Sequence, residues 1–288
     1  MKQFLALLVL SLASAVCLRA ELKVASLSTI TTEIAQKVAG EAAQVIPVIK
    51  AGIDPHDFQP SPQDVREIES ADLVLLTGKG MEGYLTKLEE AVGNKTKFVD
   101  VGESIPSLTL EEDGRQVEDP HWWQSIANMM MATNVVRKHF VEADPSNKAL
   151  YEKNAAAYFA TLTELQKWAR QEVAKLPRDK RKLVTSHDAF QYFARDYGFK
   201  IYAIEGVSTD DQPSSKKVTE LINTIRDQKV KAVFFESIEN PKVVAEITKE
   251  TGARIGGELY ADGLGEKDAS TYSGMMRHNI TSIVGNLK

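Results

Sequence analysis

Short apolar runs alternate with segments of helical periodicity from residue 22 onward. In the first half, the runs predict strands at residues 23–27, 45–49, 72–76 and 97–99, and the periodic segments predict helices at 28–39 and 81–92. The run at 72–76 has no polar alternation, which is typical of a strand buried on both faces of a parallel sheet. Ser61 followed by Pro62 has the residues of a helix start. The first half is therefore predicted to form an α/β lobe.

The second half repeats this alternation. Strands are predicted at residues 182–186, 199–204 and 231–235, and helices near 189–197, 214–228, 241–251 and 271–287. Such a pattern favours parallel strands whose connecting helices cover both faces of the sheet. We therefore expect a second α/β lobe, so that the chain forms two Rossmann-like lobes of similar size, each with a parallel sheet.

One long helix is predicted between the lobes. Asp144 and Pro145 provide a helix start, and neither Gly nor Pro follows until Pro177. Apolar residues recur every three or four positions and predict one buried stripe. The stripe comprises Phe159, Leu162, Leu165, Ala169, Val173 and Leu176. The expected organisation is a signal peptide at 1–20, an N-terminal lobe at 21–143, a linking helix at 144–177 and a C-terminal lobe at 178–288.

Residues 1–20 have the pattern of a secretory signal peptide. A basic start at Lys2 precedes an apolar run at 4–13, and small residues suit cleavage after Ala15 or after Ala20. We therefore expect a periplasmic protein. Cys17 is the only cysteine and lies in or beside this segment, so the exported domain is expected to have neither a disulfide nor a thiolate ligand. Lipoprotein anchoring through Cys17 is the less favoured alternative, because Val16 stands where the lipoprotein peptidase prefers a small residue.

Composition and charge limit the kinds of molecule that the protein is expected to bind. The 288 residues are 43% hydrophobic and 26% charged, which is typical of a soluble globular protein. Lys and Arg number 35 against 40 Asp and Glu, a formal charge of −5, so no basic field is available to hold a phosphate backbone. We expect a monomer with no nucleic-acid partner.

Three histidines lie just after predicted strands or in turn-rich segments, and open α/β sheets bind ligands beyond the carboxyl ends of their strands. His56 and His121 each follow an Asp-Pro pair, and His187 follows the strand predicted at 182–186. Any one of them alone is more often a hydrogen-bonded surface or core histidine. Asp262 offers a fourth donor in a glycine-flanked loop, and three imidazoles with one carboxylate suit a tetrahedral metal. The sequence therefore predicts a metal site in the cleft between the lobes.

Other polar and sulfur-containing residues are assigned to supporting roles. Glu236, at a strand end, is predicted to accept a hydrogen bond from a ligand, with a fifth metal donor or a salt-bridge partner as the alternatives. Asp188, directly after His187, is predicted to be a helix cap or a hydrogen-bond acceptor for a ligand. His139 and His278 lie on predicted helices and are interpreted as structural. The methionine run at 129–131 is interpreted as core packing.

Five segments carry a resemblance to a known family. They are residues 52–58, 119–122, 185–193, 235–237 and 259–264, and together they span almost the whole mature chain. The chain resembles the periplasmic zinc- and manganese-binding solute-binding proteins of metal ABC transporters, a family that includes adhesin-like lipoproteins.

The resemblance implies two α/β lobes, joined by a backbone helix, that hold one divalent ion for an ABC permease. The implied ligands are the residues matching that family's set, namely His56, His121, His187 and Asp262. The third ligand is His in relatives that resemble zinc carriers and often Glu in manganese carriers. His187 therefore favours Zn²⁺ as the cargo, with a manganese or iron carrier as the alternative.

Two departures from that family's pattern stand in the sequence. The loop expected at 102–118, which includes an acidic turn at 111–114, is short and holds none of the histidines that many zinc carriers have there. Trp122 to Ser125 replace the usual Leu-Asp-Pro continuation after the second ligand, which makes the local helix start uncertain.

A metallohydrolase and a surface adhesin are the alternatives of another class. The chain has no His-Glu-x-x-His helix, no Gly-x-Ser-x-Gly turn and no phosphate-binding glycine loop. Glu236 is the only spare acid expected near the cleft, and four protein donors would close the open position that a hydrolytic zinc needs. We therefore predict a carrier and not an enzyme.

Overall fold

The computed structural model describes residues 21–93, 96–112, 114–209, 214–236 and 242–288. The predicted signal peptide and Cys17 lie outside these ranges. Within them, no helix combines the length and the apolar character needed to cross a bilayer.

The first lobe is built on a parallel sheet of four strands in the order β2-β1-β3-β4. The strands are β1 Leu22–Ser26, β2 Ala43–Pro47, β3 Leu73–Leu76 and β4 Lys97–Asp100. The helices that connect them are α1 Thr29–Ala39, α2 Pro62–Glu69 and α3 Leu85–Val92. Ser61 caps α2 through a reciprocal hydrogen-bonded box with Asp64, as the Ser-Pro start predicts.

Two parts of this lobe differ from the sequence prediction. The helix expected from residue 81 begins at Leu85, because the Glu82 carboxylate accepts the backbone N–H groups of Thr77 and Gly78 at 2.6 and 3.1 Å and holds 81–84 in a turn. Residues 102–118, expected as a short loop with an acidic turn, also contain secondary structure. This segment contains the antiparallel pair β5 Thr109–Glu112 and β6 Arg115–Glu118.

Between the lobes lie two helices, α4 Ile126–Ala143 and α5 Lys148–Ala174. The helix predicted at 144–177 is therefore present, with a 3-10 turn at Pro145–Asn147 before it. The expected stripe shifts by one residue near its start, since Tyr158 is buried and Phe159 only half-buried. The reason is that Tyr158 donates its hydroxyl to the buried carboxylate of Glu33 on α1, at 2.9 Å.

The second lobe repeats the architecture with a parallel sheet in the order β10-β9-β7-β8. Its strands are β7 Lys182–Thr185, β8 Lys200–Ala203, β9 Ala232–Glu236 and β10 Arg254–Leu259. Its helices are α6 Gln191–Tyr197, α7 Ser215–Gln228, α8 Lys242–Thr251 and α9 Tyr272–Leu287. The sequence pattern did not predict β10, because Gly256 and Gly257 interrupt its apolar run at a bulge.

The two lobes share one hydrophobic core. Helix α5 packs against α1 of the first lobe and α9 of the second, and a single cluster of buried side chains extends from Leu22 to Leu287. Trp122 and Trp123 are buried in this cluster where the lobes meet. This shared core fixes the edges of the two sheets relative to each other, and the loops at those edges form the site described next.

Candidate metal centre

Four side chains predicted from separate segments lie together between the lobes. His56, His121, His187 and Asp262 each offer a donor atom, and these atoms all lie within 4.8 Å of one another. Nε2 of His121 lies 3.2 Å from Nε2 of His56 and 3.2 Å from Nε2 of His187. Oδ1 of Asp262 lies 3.2 to 3.4 Å from all three imidazole nitrogens.

These separations fit a tetrahedral ion. Zinc binds imidazole nitrogen at about 2.0 Å, and a regular tetrahedron of that radius has edges of about 3.3 Å. The measured separations of 3.2 to 3.4 Å agree with that edge length. Without a shared cation, three imidazole nitrogens and a carboxylate oxygen have little reason to converge on one point. The donor set therefore fits a divalent transition metal.

His121 is fixed by the carboxylate of Asp119, which is fully buried. Oδ1 of Asp119 accepts the backbone N–H of His121 at 2.9 Å and faces Nδ1 of its ring at 2.8 Å. With the proton of the ring on Nδ1, the lone pair of Nε2 points at the site. Burial alone would lower the pKa of His121, but its hydrogen bond to Asp119 and the nearby carboxylate of Asp262 outweigh burial and raise this pKa.

His187 has an equivalent partner on the second lobe. Its Nδ1 pairs with Oε2 of Glu236, and its backbone N–H donates to Oε1 of the same carboxylate at 3.2 Å. Burial opposes protonation, but the charges of Asp262 and Glu236 prevail and raise the pKa of His187 well above its usual value. Both oxygens of Glu236 therefore contact His187. Its contact with His187 also leaves it poorly placed to act as the general base of a hydrolase.

Asp262 is held by residues that follow His121 and by α1. Trp123 donates its indole N–H to the carbonyl of Ala261 at 2.7 Å, and the Gln124 amide donates to the same oxygen at 2.8 Å. On the other side of Asp262, the N–H of Leu264 donates to the hydroxyl of Thr29 at 2.8 Å.

The Asp262 carboxylate itself points into the site. Among the described residues, none donates a well-aligned hydrogen bond to either of its oxygens, although its side chain is only 2% exposed. Burial alone would raise the pKa of Asp262, yet the charge of His187 and the neighbouring imidazoles hold it well below its usual range. Its nearest polar neighbours are the three imidazole nitrogens at 3.2 to 3.4 Å, so a cation held between these groups would balance the buried carboxylate.

His56 lies on the solvent side of the group. Its side chain is 6% exposed, whereas those of His121 and His187 are fully buried. Its backbone N–H donates to Oδ1 of Asp54 at 2.8 Å. This contact repeats the one between His121 and Asp119, so both Asp-Pro-His segments use the aspartate to fix the residue two positions later.

Other predicted residues lie elsewhere. The Asp188 carboxylate accepts from the side chain of Gln191 at 2.7 Å, and no contact that we observe joins it to a ligand ring. His139 lies on the surface of the first lobe near Lys97 and Glu142, and His278 packs on Tyr260. Met129 is buried in the shared core, as expected.

Asp54 and Asp119 are supporting residues that the sequence analysis missed. The Asp-Pro-His segments were interpreted only as a means of fixing the backbone before each histidine. The signal that could have identified the two carboxylates is the repeated acid two positions before a candidate ligand, because that spacing brings a carboxylate to the backbone N–H of the histidine.

Two α/β lobes bridged by a long helix, with four inward-facing donors between them, define a solute-binding protein for a metal ion. The model of the family described as "Zinc-uptake complex component A periplasmic" matches residues 24–286. The chain belongs to this family of metal-binding proteins of ABC transporters, which are carriers and not enzymes.

Several characterised relatives cover almost the whole chain. The manganese-binding lipoprotein MntA of Bacillus subtilis is 37% identical over 276 residues, 93% of this chain and 90% of the relative. The iron-binding protein YfeA of Yersinia pestis is 35% identical over 263 residues, 91% of this chain and 85% of the relative.

Solved structures agree with the fold. The periplasmic zinc-binding protein TroA of Treponema pallidum has a TM-score of 0.88 at 30% identity, covering 93% of this chain and 99% of that one. A manganese-bound periplasmic metal-binding protein of Candidatus Liberibacter asiaticus has a TM-score of 0.85 at 30% identity, covering 93% of this chain and 100% of that one. The names of these proteins include zinc, manganese and iron, so the family alone does not choose the metal.

Proposed function

We propose that this protein captures one divalent transition metal ion through His56, His121, His187 and Asp262 and delivers it to the membrane permease of an ABC transporter. The observation that carries the proposal is the convergence of three imidazole nitrogens and one carboxylate oxygen at tetrahedral spacing. The metal is cargo, so the site has to bind it tightly and also to release it.

Zinc is the cargo that the donor set favours. Imidazole suits zinc, whereas carboxylate and water suit manganese, and a nitrogen-rich site binds Mn²⁺ far more weakly than Zn²⁺. Two observations keep manganese as a second candidate. Both oxygens of Asp262 are without hydrogen-bond donors in the described part of the chain, so bidentate binding would raise the coordination number. The relative from Bacillus subtilis is also named for manganese.

The deciding experiment is a competition titration of the metal-free protein with Zn²⁺ and Mn²⁺, combined with elemental analysis of the protein isolated from its native compartment. We expect one equivalent of bound metal and tighter binding of Zn²⁺. Tighter binding of Mn²⁺ would reassign the cargo, and absence of stoichiometric binding would refute the carrier function. A His139→Ala variant is the control, because the His139 ring contacts Lys97 and Glu142 of the first lobe and its observed contacts include none of the four donors.

We propose further that the mature protein acts as a monomer in the periplasm after removal of its signal peptide. The signal-peptide pattern of residues 1–20 and the description of the family as periplasmic support this location, although relatives such as MntA are named lipoproteins. Mass spectrometry of the protein from membrane and soluble fractions tests the proposal. We expect a soluble chain that begins after Ala15 or Ala20. A lipid-modified N-terminus at Cys17 would show instead that the protein is anchored to the membrane.

A further inference from the structure

The rim of the metal site is crossed by two hydrogen bonds that join opposite lobes. Thr209, in the loop after β8, donates its hydroxyl to Oδ2 of Asp54 in the first lobe at 2.8 Å. The backbone N–H of Val207, in the same loop, donates to Oε1 of Glu112 at the end of β5 at 3.2 Å. None of these groups supplies a metal donor.

Asp54 connects the first of these bonds to a ligand. Its Oδ1 accepts the backbone N–H of His56 at 2.8 Å, while its Oδ2 accepts the hydroxyl of Thr209. One carboxylate therefore holds a metal donor of the first lobe and a loop of the second lobe at the same time. The position of His56 thus depends on the two lobes staying together at the rim.

The hydrogen bond between Glu112 and Val207 brings the Glu112 carboxylate so close to residue 206 that no side chain fits there. A Cβ at residue 206 would lie 1.3 Å from Oε1 of Glu112, so the approach of this carboxylate requires Gly206. The carbonyl of Gly206 accepts the backbone N–H of Asp188 at 2.8 Å, directly beside His187. The contact of Glu112 is thereby linked to the loop that carries a donor of the second lobe.

These contacts border a surface approach to the site. A surface cavity of about 460 Å³ reaches His56, and Glu112 and Val207 form part of its wall. The donors opposite His56 are enclosed, since the side chains of His121 and His187 are fully buried. A metal ion that leaves the site therefore passes His56 more readily than it passes the other three donors.

We propose that Asp54, Thr209 and Glu112 form an interlobe latch that positions His56 over the bound metal and controls the rate of metal release. The inference rests on the proposed carrier function and adds the residues that govern its release step. When the latch opens, His56 moves away while His121, His187 and Asp262 keep their places. Loss of a latch bond therefore accelerates dissociation more than association.

The test measures metal release from the loaded full-length mature protein. The protein is loaded with Co²⁺ or Zn²⁺ and mixed rapidly with excess chelator, and the parent is compared with Thr209→Val and Glu112→Ala. Each variant is expected to release metal about three- to tenfold faster, the effect of one hydrogen bond of ordinary strength. Thr209→Ser and Glu112→Gln keep an acceptable donor or acceptor and are expected to restore slow release.

Two matched controls separate the latch from general effects of substitution. Thr219→Val removes an exposed hydroxyl that bonds only to Ser215 within α7, and Glu111→Ala removes an exposed carboxylate next to Glu112 on the same hairpin. Both are expected to release metal at the parental rate. Faster release in these controls equal to that of the latch variants would overturn the proposal.

The amount of bound Co²⁺ and its absorption spectrum distinguish a failure of the carrier function from a failure of the latch. A parent that binds no Co²⁺ refutes the carrier function itself. A parent that binds one Co²⁺, with Thr209→Val and Glu112→Ala releasing it at the parental rate, refutes the latch alone. The absorption bands of tetrahedral Co²⁺ are expected to keep their positions in both variants, because all four donors remain. Displaced bands would contradict a role limited to positioning.

Discussion

The metal centre has an interior side and a rim side that are held in different ways. On the interior side, Trp123 and Gln124 tie the segment that follows His121 to the loop carrying Asp262, through hydrogen bonds buried in the shared core. On the rim side, His56 is held through Asp54 to Thr209, between half-buried loops. Interior contacts break only when the core opens, whereas rim contacts can break locally. We therefore expect changes on the interior side to weaken binding most, and changes at the rim to act mainly through faster dissociation.

The largest expected effect comes from removing an interior donor. His121→Ala deletes one ligand and leaves the buried carboxylate of Asp119 without its partner, so metal affinity should fall by more than about a thousandfold and the variant should also lose stability. Calorimetric titration and thermal unfolding measure both quantities. His139→Ala is the control, since it removes a surface histidine of the same lobe. Binding by His121→Ala within tenfold of the parent would contradict the site.

Acidification should weaken metal binding strongly, because it protonates the two histidines on the interior side. A protonated imidazole cannot bind metal, and the raised pKa values of His121 and His187 mean that protons compete above the ordinary histidine range near pH 6.5. Affinity should therefore fall as pH falls, by at least about a hundredfold from about pH 7.5 to about pH 5.5, with protons released on binding. Titrations in buffers of different ionisation enthalpy measure both effects. A constant affinity over this range would exclude a three-histidine site.

A smaller effect is expected when only the support of an interior ligand changes. Asp119→Asn removes the charge that orients His121 and should lower affinity about ten- to a hundredfold. Asp188→Asn is the comparison, because the carboxylate of Asp188 bonds to Gln191 and not to a ligand ring. We expect affinity close to that of the parent for the second variant. Equal losses in the two variants would show that general charge near the site matters more than orientation.

The smallest of the four effects concerns metal choice. His187→Glu exchanges a nitrogen donor for an oxygen donor and adds a negative charge beside Glu236, so the preference for Zn²⁺ over Mn²⁺ should fall by about tenfold. A competition titration with both ions measures the ratio. Combining His187→Glu with Glu236→Gln removes the added repulsion and should recover part of the lost affinity while keeping the altered ratio. An unchanged ratio would remove His187 as the selecting ligand.

Sequence pattern predicted the strands and helices that depend on local periodicity. The apolar run that became β3 and the Ser-Pro start of α2 are determined by neighbouring residues, and both lie where expected. The pattern failed where distant partners decide the structure. Tyr158 displaces Phe159 from the buried stripe because its hydroxyl reaches Glu33, which is 125 residues away in sequence.

The four donors could be proposed from the sequence because they lie in loops or turn-rich segments, and two of them share the same Asp-Pro context. Their supporting residues were harder to predict. Asp119 resembles any turn residue until the orientation of the His121 ring is known. The latch could not be predicted from the sequence. It depends on the hairpin β5–β6 and on the relative position of two loops that are 155 residues apart in sequence.

The buried carboxylate of Glu33 has a consequence for how the chain folds. One oxygen accepts the hydroxyl of Tyr158, and the other accepts the backbone N–H of Tyr272, which lies 239 residues later in the chain. As the chain folds, α1 therefore cannot complete its final environment until the start of the last helix has packed beside it. Contacts of such long sequence separation slow folding. Part of the core surface of the first lobe therefore stays hydrated until the last helix of the second lobe packs against it.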